Sequence, residues 1–385
     1  MHKLTTHSFT AFFRIGTIIL FLLSSTFFKS FAQTHSFSGR IGKYPIYLYM
    51  KIEGSKVDGY YFYKNKLIDI SFAGTYKTGL ITVNTKDAFG DTPESPETFK
   101  FKWPSKAPEG SWGNNGKLLE LKLLPLTAKE TGNPKCSNPY LVKENPDIGD
   151  MTKVKIGLFK LKEDGNPEVI NHIKIRYFTE VSTGINFFRI DSGLVADKQK
   201  DANLYLENFH ISEFLTSLEC ASYSTSGSNY NFSTSNISLS NELICFSVFA
   251  AFYCGGAHPD ETNYGVNYYL NTSKRITSTD YLIADKDELF QKRVLAYLSK
   301  MNPGYFNPDA ESNQDDPGYD CEYYNPELWT TDCSFTFTHE GLKLHPSFSH
   351  YMAPCMDPEW AVIPYSELKE LIKPEFYSKL IRLKP

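Results

Sequence analysis

The sequence predicts a multidomain protein in which an all-β antiparallel meander precedes an α+β domain with helices packed on an antiparallel sheet. Residues 34–126 alternate apolar and polar side chains with period two, which is the pattern of half-buried strands. Residues 151–385 combine such runs with stretches of helical periodicity, as α+β domains do. Between them, residues 127–150 contain three prolines, two glycines and no periodicity, and we interpret this stretch as a linker.

An apolar run near the N-terminus predicts export. Lys3 and Arg14 precede the run Ile15–Phe28, and the segment Ser30–Ala32 supplies small residues of the kind that a signal peptidase recognises. The run has 14 residues, which is too short to span a bilayer. We therefore interpret residues 1–32 as a cleaved secretory signal and expect a periplasmic or secreted protein without a transmembrane anchor after cleavage.

Charge and composition exclude one functional class. Removal of the signal takes away three positive charges and no negative ones, which changes the net charge from −4 to −7. A nucleic-acid-binding protein would need a basic surface, so we expect no nucleic-acid partner. An acidic surface instead favours basic partners.

The first domain is predicted from its alternation and its turns. Apolar side chains alternate with polar ones in Ile46–Ile52 and in Phe99–Trp103, and turn residues recur about every ten positions, as at Gly54-Ser55 and Asn114–Gly116. The pattern predicts six to eight strands, either open or closed into a small barrel. The sequence leaves open whether the tyrosines of this domain line a ligand cup or fill a core.

The second domain is predicted to mix strands and helices. A Ser/Thr/Asn-rich stretch, Ser222–Ser240, is interpreted as an exposed hairpin loop. The predicted strands are Val154–Leu161, His172–Phe178, Gly184–Ile190, Leu243–Tyr253, Tyr264–Leu270, Ser334–Thr338 and Leu342–Leu344. The predicted helices are Lys198–Leu218, one that Asp285 caps with Glu288 at the capping-box position, and one that Pro364 opens.

A set of motifs in the second domain carries a resemblance. The stretch "YCGGAHPDE" contains Gly255-Gly256, which we interpret as a turn that side chains would obstruct. It is followed by "NYYLNTSKRITSTDYL", "FTFTHEGLKLHPSF" and "YMAPCMDPEWAVIPYSELKELI". This ordered set, within residues 154–380, resembles the extracellular domain of lysozyme-sensing anti-sigma proteins (RsiV-type), which also accompanies peptidoglycan deacetylases (PdaC-type).

The resemblance implies an exported α+β domain that works at the cell envelope and that binds lysozyme in its best-known member. The chain has no transmembrane helix to join a sensor to a sigma-binding segment, and it lacks the Thr-Phe-Asp-Asp pattern of the deacetylases. Signalling as an anti-sigma factor and deacetylation are therefore not expected.

The candidate site residues are His258, Asp260 and Glu261, which follow the Gly-Gly turn. A histidine beside carboxylates is suitable for acid–base chemistry, but no nucleophile motif such as G-x-S-x-G is present. We therefore predict weak binding candidates rather than catalytic residues. The predicted function is a non-enzymatic, exported binding protein for an envelope protein or a wall glycan. A hydrolase with a site near His258 is the alternative.

Cysteine usage predicts disulfides and no metal. The mature chain contains seven cysteines, which in an oxidising compartment are expected to form disulfides and to leave at least one thiol unpaired. No C-x-x-C or H-x-x-x-H spacing occurs, so neither a metal nor a cofactor is predicted. The acidic stretch Asp309–Glu322 lacks the EF-hand register, and we interpret it as a solvated loop rather than a calcium site.

The pairing of the cysteines is predicted from three features. Two cysteines stand in the resemblance motifs at positions where the family has other residues, and this double departure implies a bond between them. Two others lie twelve residues apart around a loop, and two flank the Ser/Thr/Asn-rich stretch. The predicted pairs are therefore Cys254 with Cys355, Cys321 with Cys333, and Cys220 with Cys245, with Cys136 left unpaired.

Overall fold

A computed structural model describes residues 32–87, 90–223, 229–255, 258–306, 321–330, 333–348 and 355–384. The predicted signal peptide, Gly256 and most of the acidic stretch lie outside the described residues. The chain divides into two compact units, of which the first ends at Pro125 and the second begins its main run at Leu126.

The first unit is a closed, eight-stranded antiparallel barrel. Strand β1 pairs with β2 on one side and with β8 on the other, and this second pairing closes the sheet. The strands are β1 Gln33–Ile41, β2 Tyr44–Glu53, β3 Lys56–Tyr63, β4 Ile70–Lys77, β5 Leu80–Thr85, β6 Thr98–Lys102, β7 Glu109–Asn114 and β8 Lys117–Pro125. The predicted antiparallel β domain is confirmed, and of the two predicted forms the structure shows the closed barrel.

Side chains fill the barrel. Leu48, Met50 and Phe99 are completely buried, since an eight-stranded barrel has an interior just wide enough for its own side chains. Tyr61 is also completely buried, and its hydroxyl donates to the Glu97 carboxylate, which also accepts from the indole nitrogen of Trp112 at 2.7 Å. At least this tyrosine belongs to the core.

Short helices occupy the predicted linker and the start of the second domain. They are α1 Ala128–Thr131, α2 Pro139–Glu144 and α3 Asp150–Leu158, with a single 3₁₀ turn at Pro134–Ser137. The predicted strand Val154–Leu161 is therefore wrong, because helix α3 covers most of it. The alternation of Val154 and Ile156, both buried, imitates a strand in a run too short for periodicity to separate the two structures.

Within the described residues, the second unit contains three antiparallel sheets and one long helix. The strands are β9 Leu161–Ile170, β10 Ile173–Glu180, β11 Asn186–Ser192, β12 Asn229–Leu239, β13 Leu243–Tyr253, β14 Asp260–Tyr269, β15 Lys274–Arg275, β16 Cys333–Phe337, β17 Leu342–Pro346 and β18 Val362–Ile363. The helices are α4 Ala196–Tyr223, α5 Ser278–Tyr281, α6 Asp287–Met301, α7 Glu327–Thr330, α8 Tyr365–Leu368 and α9 Pro374–Leu380. The sheet orders are β11-β10-β9, β12-β13-β14-β15 and β16-β17-β18.

The four-stranded sheet is central because both of its faces are buried. Ile244 and Phe246 of β13 pack with α4, β10 and β11 in one hydrophobic core. Leu243 and Cys245 point to the opposite face and pack with β16, β17 and helices α6 to α9 in a second core. This alternation along β13 assigns each residue to one of the two cores.

Two further expectations are wrong. Most of the predicted loop Ser222–Ser240 is strand β12, which pairs along its length with β13. The segment has the composition of a loop, but pairing with β13 stabilises it as a polar edge strand. Helix α6 begins after Lys286 with no side-chain cap, and Asp285 lies before it with a φ of +61°. The predicted capping box at Asp285 and Glu288 is therefore not formed.

Candidate functional site

The predicted site residues lie at one end of the central sheet. Asp260 opens β14 opposite Phe252, and Glu261 pairs with Ala251 of β13. His258 and Asp260 are exposed and Glu261 is half-buried. The Asp260 carboxylate accepts a hydrogen bond from the backbone N–H of Glu261 at 2.8 Å. All three residues lie at this end of the sheet, and Asp260 and Glu261, as successive residues of β14, point to opposite faces of it.

A disulfide fixes this connection to the long helix. Cys254, just after β13, is bonded to Cys220 in the last turn of α4, with 4.4 Å between their α-carbons. Gly255 follows with a φ of +88°, a backbone conformation that side chains disfavour. We refer to residues 253–255 and 258–261, with the Cys220–Cys254 bond beneath them, as the stapled turn.

All three predicted disulfide pairs are wrong, although Cys136 is unpaired as predicted. The bonds are Cys220–Cys254 and Cys321–Cys355, and the free thiols are Cys136, Cys245 and Cys333. The physical reason is clearest for Cys245, which lies in the core on the face of the central sheet that points away from α4. Cys220 on α4 therefore cannot reach it. Two disulfides are typical of proteins outside the reducing cytoplasm.

A half-buried carboxylate provides a second support for the stapled turn. Glu213 of α4 accepts hydrogen bonds from the hydroxyls of Tyr230 on β12, at 2.7 Å, and of Tyr264 on β14, at 3.4 Å. Burial raises the pKa of Glu213, and burial also raises the pKa of both tyrosines. One helical side chain therefore holds the two strands that flank β13, namely β12 and β14.

A serine–histidine contact that the sequence did not reveal lies inside the second core. The imidazole Nε2 of His345 is 3.2 Å from the Ser247 hydroxyl and 2.8 Å from the Thr336 hydroxyl. Such a contact is the starting point of nucleophilic catalysis when a carboxylate orients the histidine. Here Nδ1 is buried without a partner in the described part of the chain, and Ser247 and His345 are only 2% and 1% exposed.

This buried cluster is structural. Burial lowers the pKa of His345 to about 4, so its imidazole is neutral at ordinary pH. The hydrogen bonds join β13 of the central sheet to β16 and β17. The contact could not be predicted from the sequence, because Ser247 and His345 are 98 positions apart and no local motif marks either residue.

The described residues contain no group of three or more histidine, cysteine, aspartate or glutamate side chains arranged to hold a metal ion. Nor does any helix within the described ranges have the length and apolar character needed to cross a membrane.

Comparison with known proteins gives remote structural likenesses. No family model matches the chain, and no curated protein matches it. A crystal structure of a DUF3298 family member from Bacteroides fragilis is similar with 12% identity and a TM-score of 0.32, covering 58% of this chain and 98% of that one. A DUF3298 family protein from Pseudomonas aeruginosa is similar with 14% identity and a TM-score of 0.33, covering 56% and 95%.

Proposed function

We propose that the protein is an exported, non-enzymatic binding protein of the cell envelope that contacts a basic protein partner through the stapled turn. The observation that carries the proposal is the combination of a rigid support with exposed polar side chains. The Cys220–Cys254 bond and the Glu213 hydrogen bonds fix the backbone, and His258 and Asp260 lie exposed above it.

Rigidity favours binding because a surface that is already ordered loses little conformational entropy when a partner arrives. The resemblance noted above suggests lysozyme-like proteins or peptidoglycan as ligands. Asp260 and Glu261 favour the protein over a neutral glycan, since carboxylates attract a basic surface and accelerate encounter. The net charge of −7 for the mature chain acts in the same direction.

The experiment compares lysozyme and soluble peptidoglycan fragments as ligands in a binding titration at low and high salt. Neutralising the turn with Asp260→Asn and Glu261→Gln is expected to weaken lysozyme binding at least about tenfold at low salt. The matched control is Glu370→Gln with Glu375→Gln, which removes two exposed carboxylates elsewhere in the same unit and is expected to leave binding unchanged. Equal weakening by both pairs would refute a role for the turn.

The hydrolase alternative is tested with one variant. Under the binding proposal, His258→Ala changes partner affinity and no turnover of wall material exists to be lost. Reproducible hydrolysis of a wall-derived substrate that disappears in His258→Ala would replace the binding proposal by the catalytic one.

A further inference from the structure

A cleft of about 500 Å³ separates helix α4 from strands β10 and β11. This volume lies within the range of pockets that hold small molecules. Its lining comprises three cationic side chains, two carboxylates, one amide and three apolar side chains. The cleft belongs to the second unit and shares none of its lining residues with the stapled turn.

One cation of the cleft, Arg189 of β11, is oriented by neutral acceptors. Its Nη1 donates to the carbonyl of Phe188 at 2.8 Å, and its Nη2 lies 3.3 Å from Nδ1 of His210. The other ring nitrogen of His210 lies 3.0 Å from the carbonyl of Ile185, so Nε2 carries the proton and Nδ1 accepts from the arginine. Burial lowers the pKa of His210 to about 3, and the ring remains neutral.

Neutral acceptors thus hold the Arg189 guanidinium in place without neutralising its positive charge. Within the described part of the chain, no carboxylate oxygen lies within 4 Å of its guanidinium. Glu207 lines the same cleft and attracts the arginine from a greater distance, while its carboxylate accepts from the Asn138 amide at 3.3 Å. Burial lowers the pKa of Arg189 to about 10.

The neighbouring charges balance one another and do not neutralise Arg189. Arg176 of β10 stands directly opposite Arg189 in the strand register, an arrangement of like charges that costs stability unless an anion lies nearby. Arg176 is held by Glu163 and by Asp191, and Asp191 is also contacted by Lys174 at 3.3 Å. The carboxylate of Asp191 is thus shared between two cations, and within the described part of the chain it forms no ion pair with Arg189.

A third cation, Lys200, lines the cleft from helix α4, and its side chain is exposed. No ion pair involves it among the residues that the structure describes. Phe178 and Leu204 supply apolar lining, and both are half-buried. The cleft thus offers two cations with free donor capacity beside an apolar wall.

We infer that this cleft binds a small monocarboxylate with an apolar body. The carboxylate accepts hydrogen bonds from the Arg189 guanidinium and from Lys200, and the apolar body packs against Phe178 and Leu204. A planar guanidinium fits a carboxylate well. A phosphate dianion fits less well, because Asp191 and Glu207 also line the cleft and repel a second negative charge.

The test is isothermal titration calorimetry of the full exported chain with three probes: N-acetyl-leucine, N-acetyl-leucinamide and inorganic phosphate. N-acetyl-leucine is expected to bind, and the amide, which has the same apolar body without the charge, at least about tenfold more weakly. Equal affinity for the acid and the amide would overturn the inference. Binding of phosphate without binding of N-acetyl-leucine would also overturn it.

Variants locate the site. Arg189→Gln and Lys200→Gln are each expected to weaken N-acetyl-leucine binding, the arginine change by about tenfold or more. Lys300→Gln on helix α6 removes an exposed lysine that does not line the cleft and should bind as the unmodified chain does. If Arg189→Gln does not unfold cooperatively on heating, this variant is not properly folded, and the binding test then relies on Lys200→Gln alone. Unchanged affinity in Lys200→Gln then contradicts the assignment.

Discussion

Replacing both cysteines of the Cys220–Cys254 bond by alanine is expected to lower the free energy of unfolding by about 4 kcal/mol. The bond joins residues 34 positions apart. In the chain-entropy description, a crosslink of this span removes conformations from the unfolded chain, and the logarithmic dependence on loop length gives that value at room temperature.

The assay is urea unfolding followed by tryptophan fluorescence, with the free energy extrapolated to water. The Cys321–Cys355 bond has the same span of 34 positions, so chain entropy alone assigns its double alanine variant the same loss. Cys321 and Cys355 are both buried, at 0% and 4% exposed, whereas in the other bond Cys220 is buried and Cys254 is half-buried; removal of the Cys321–Cys355 bond therefore leaves the larger cavity, and the total loss should be larger by about 1 kcal/mol. Cys136→Ala, which removes a free thiol, is the control.

The reasoning fails if the Cys220→Ala and Cys254→Ala double variant loses less than about 1 kcal/mol, a quarter of the chain-entropy value. It also fails if non-reducing peptide mapping of the unmodified chain links Cys254 to Cys355 instead. A loss as large in Cys136→Ala would show that alanine substitution itself, rather than the crosslink, is being measured.

Two further predictions concern the second core. Gly265→Ala should destabilise the protein by about 3 kcal/mol or more in urea unfolding, because an added Cβ would lie 1.8 Å from the carbonyl oxygen of Phe335. Gly157→Ala is the control that should be tolerated, because the atom nearest to its added Cβ would lie 3.5 Å away. For His345, burial lowers the pKa from 6.5 to about 4, so the unfolded state binds more protons and stability falls as pH decreases from 7 to 5, by about 2 kcal/mol from this residue. His345→Gln should lose that part of the pH dependence, and an unchanged slope in unfolding titrations would contradict the assignment.

The barrel was predictable because its signal is local. The alternation in Ile46–Ile52 and similar runs records which side chains face the interior, and turn residues between runs define hairpins. Closure was not predictable, since it depends on the pairing of β1 with β8, two strands at opposite ends of the unit. No residue pattern within either strand specifies its partner.

Neither the cysteine pairing nor the candidate cleft could be predicted from the sequence, for a related reason. Whether Cys245 can meet Cys220 depends on which face of β13 each neighbour covers, and periodicity gives alternation without saying which face meets the helix. In the same way, the sequence "FFRID" around Arg189 does not show that its charge lacks a carboxylate partner. That property emerges only when β10, β11 and α4 come together.

Helix α4 links the two proposed sites and also keeps them apart. Lys200 near its start lines the cleft, and Cys220 near its end supports the stapled turn. Although Glu207 of the cleft lies less than two helical turns from Glu213, the cleft and the stapled turn share no residue, and Lys200 is separated from Cys220 by about 30 Å of α-helix. Because substitutions that far apart act independently unless a shared element has two arrangements, loss of carboxylate binding in Lys200→Gln together with intact lysozyme binding is the pattern that two separate sites on one rigid helix require.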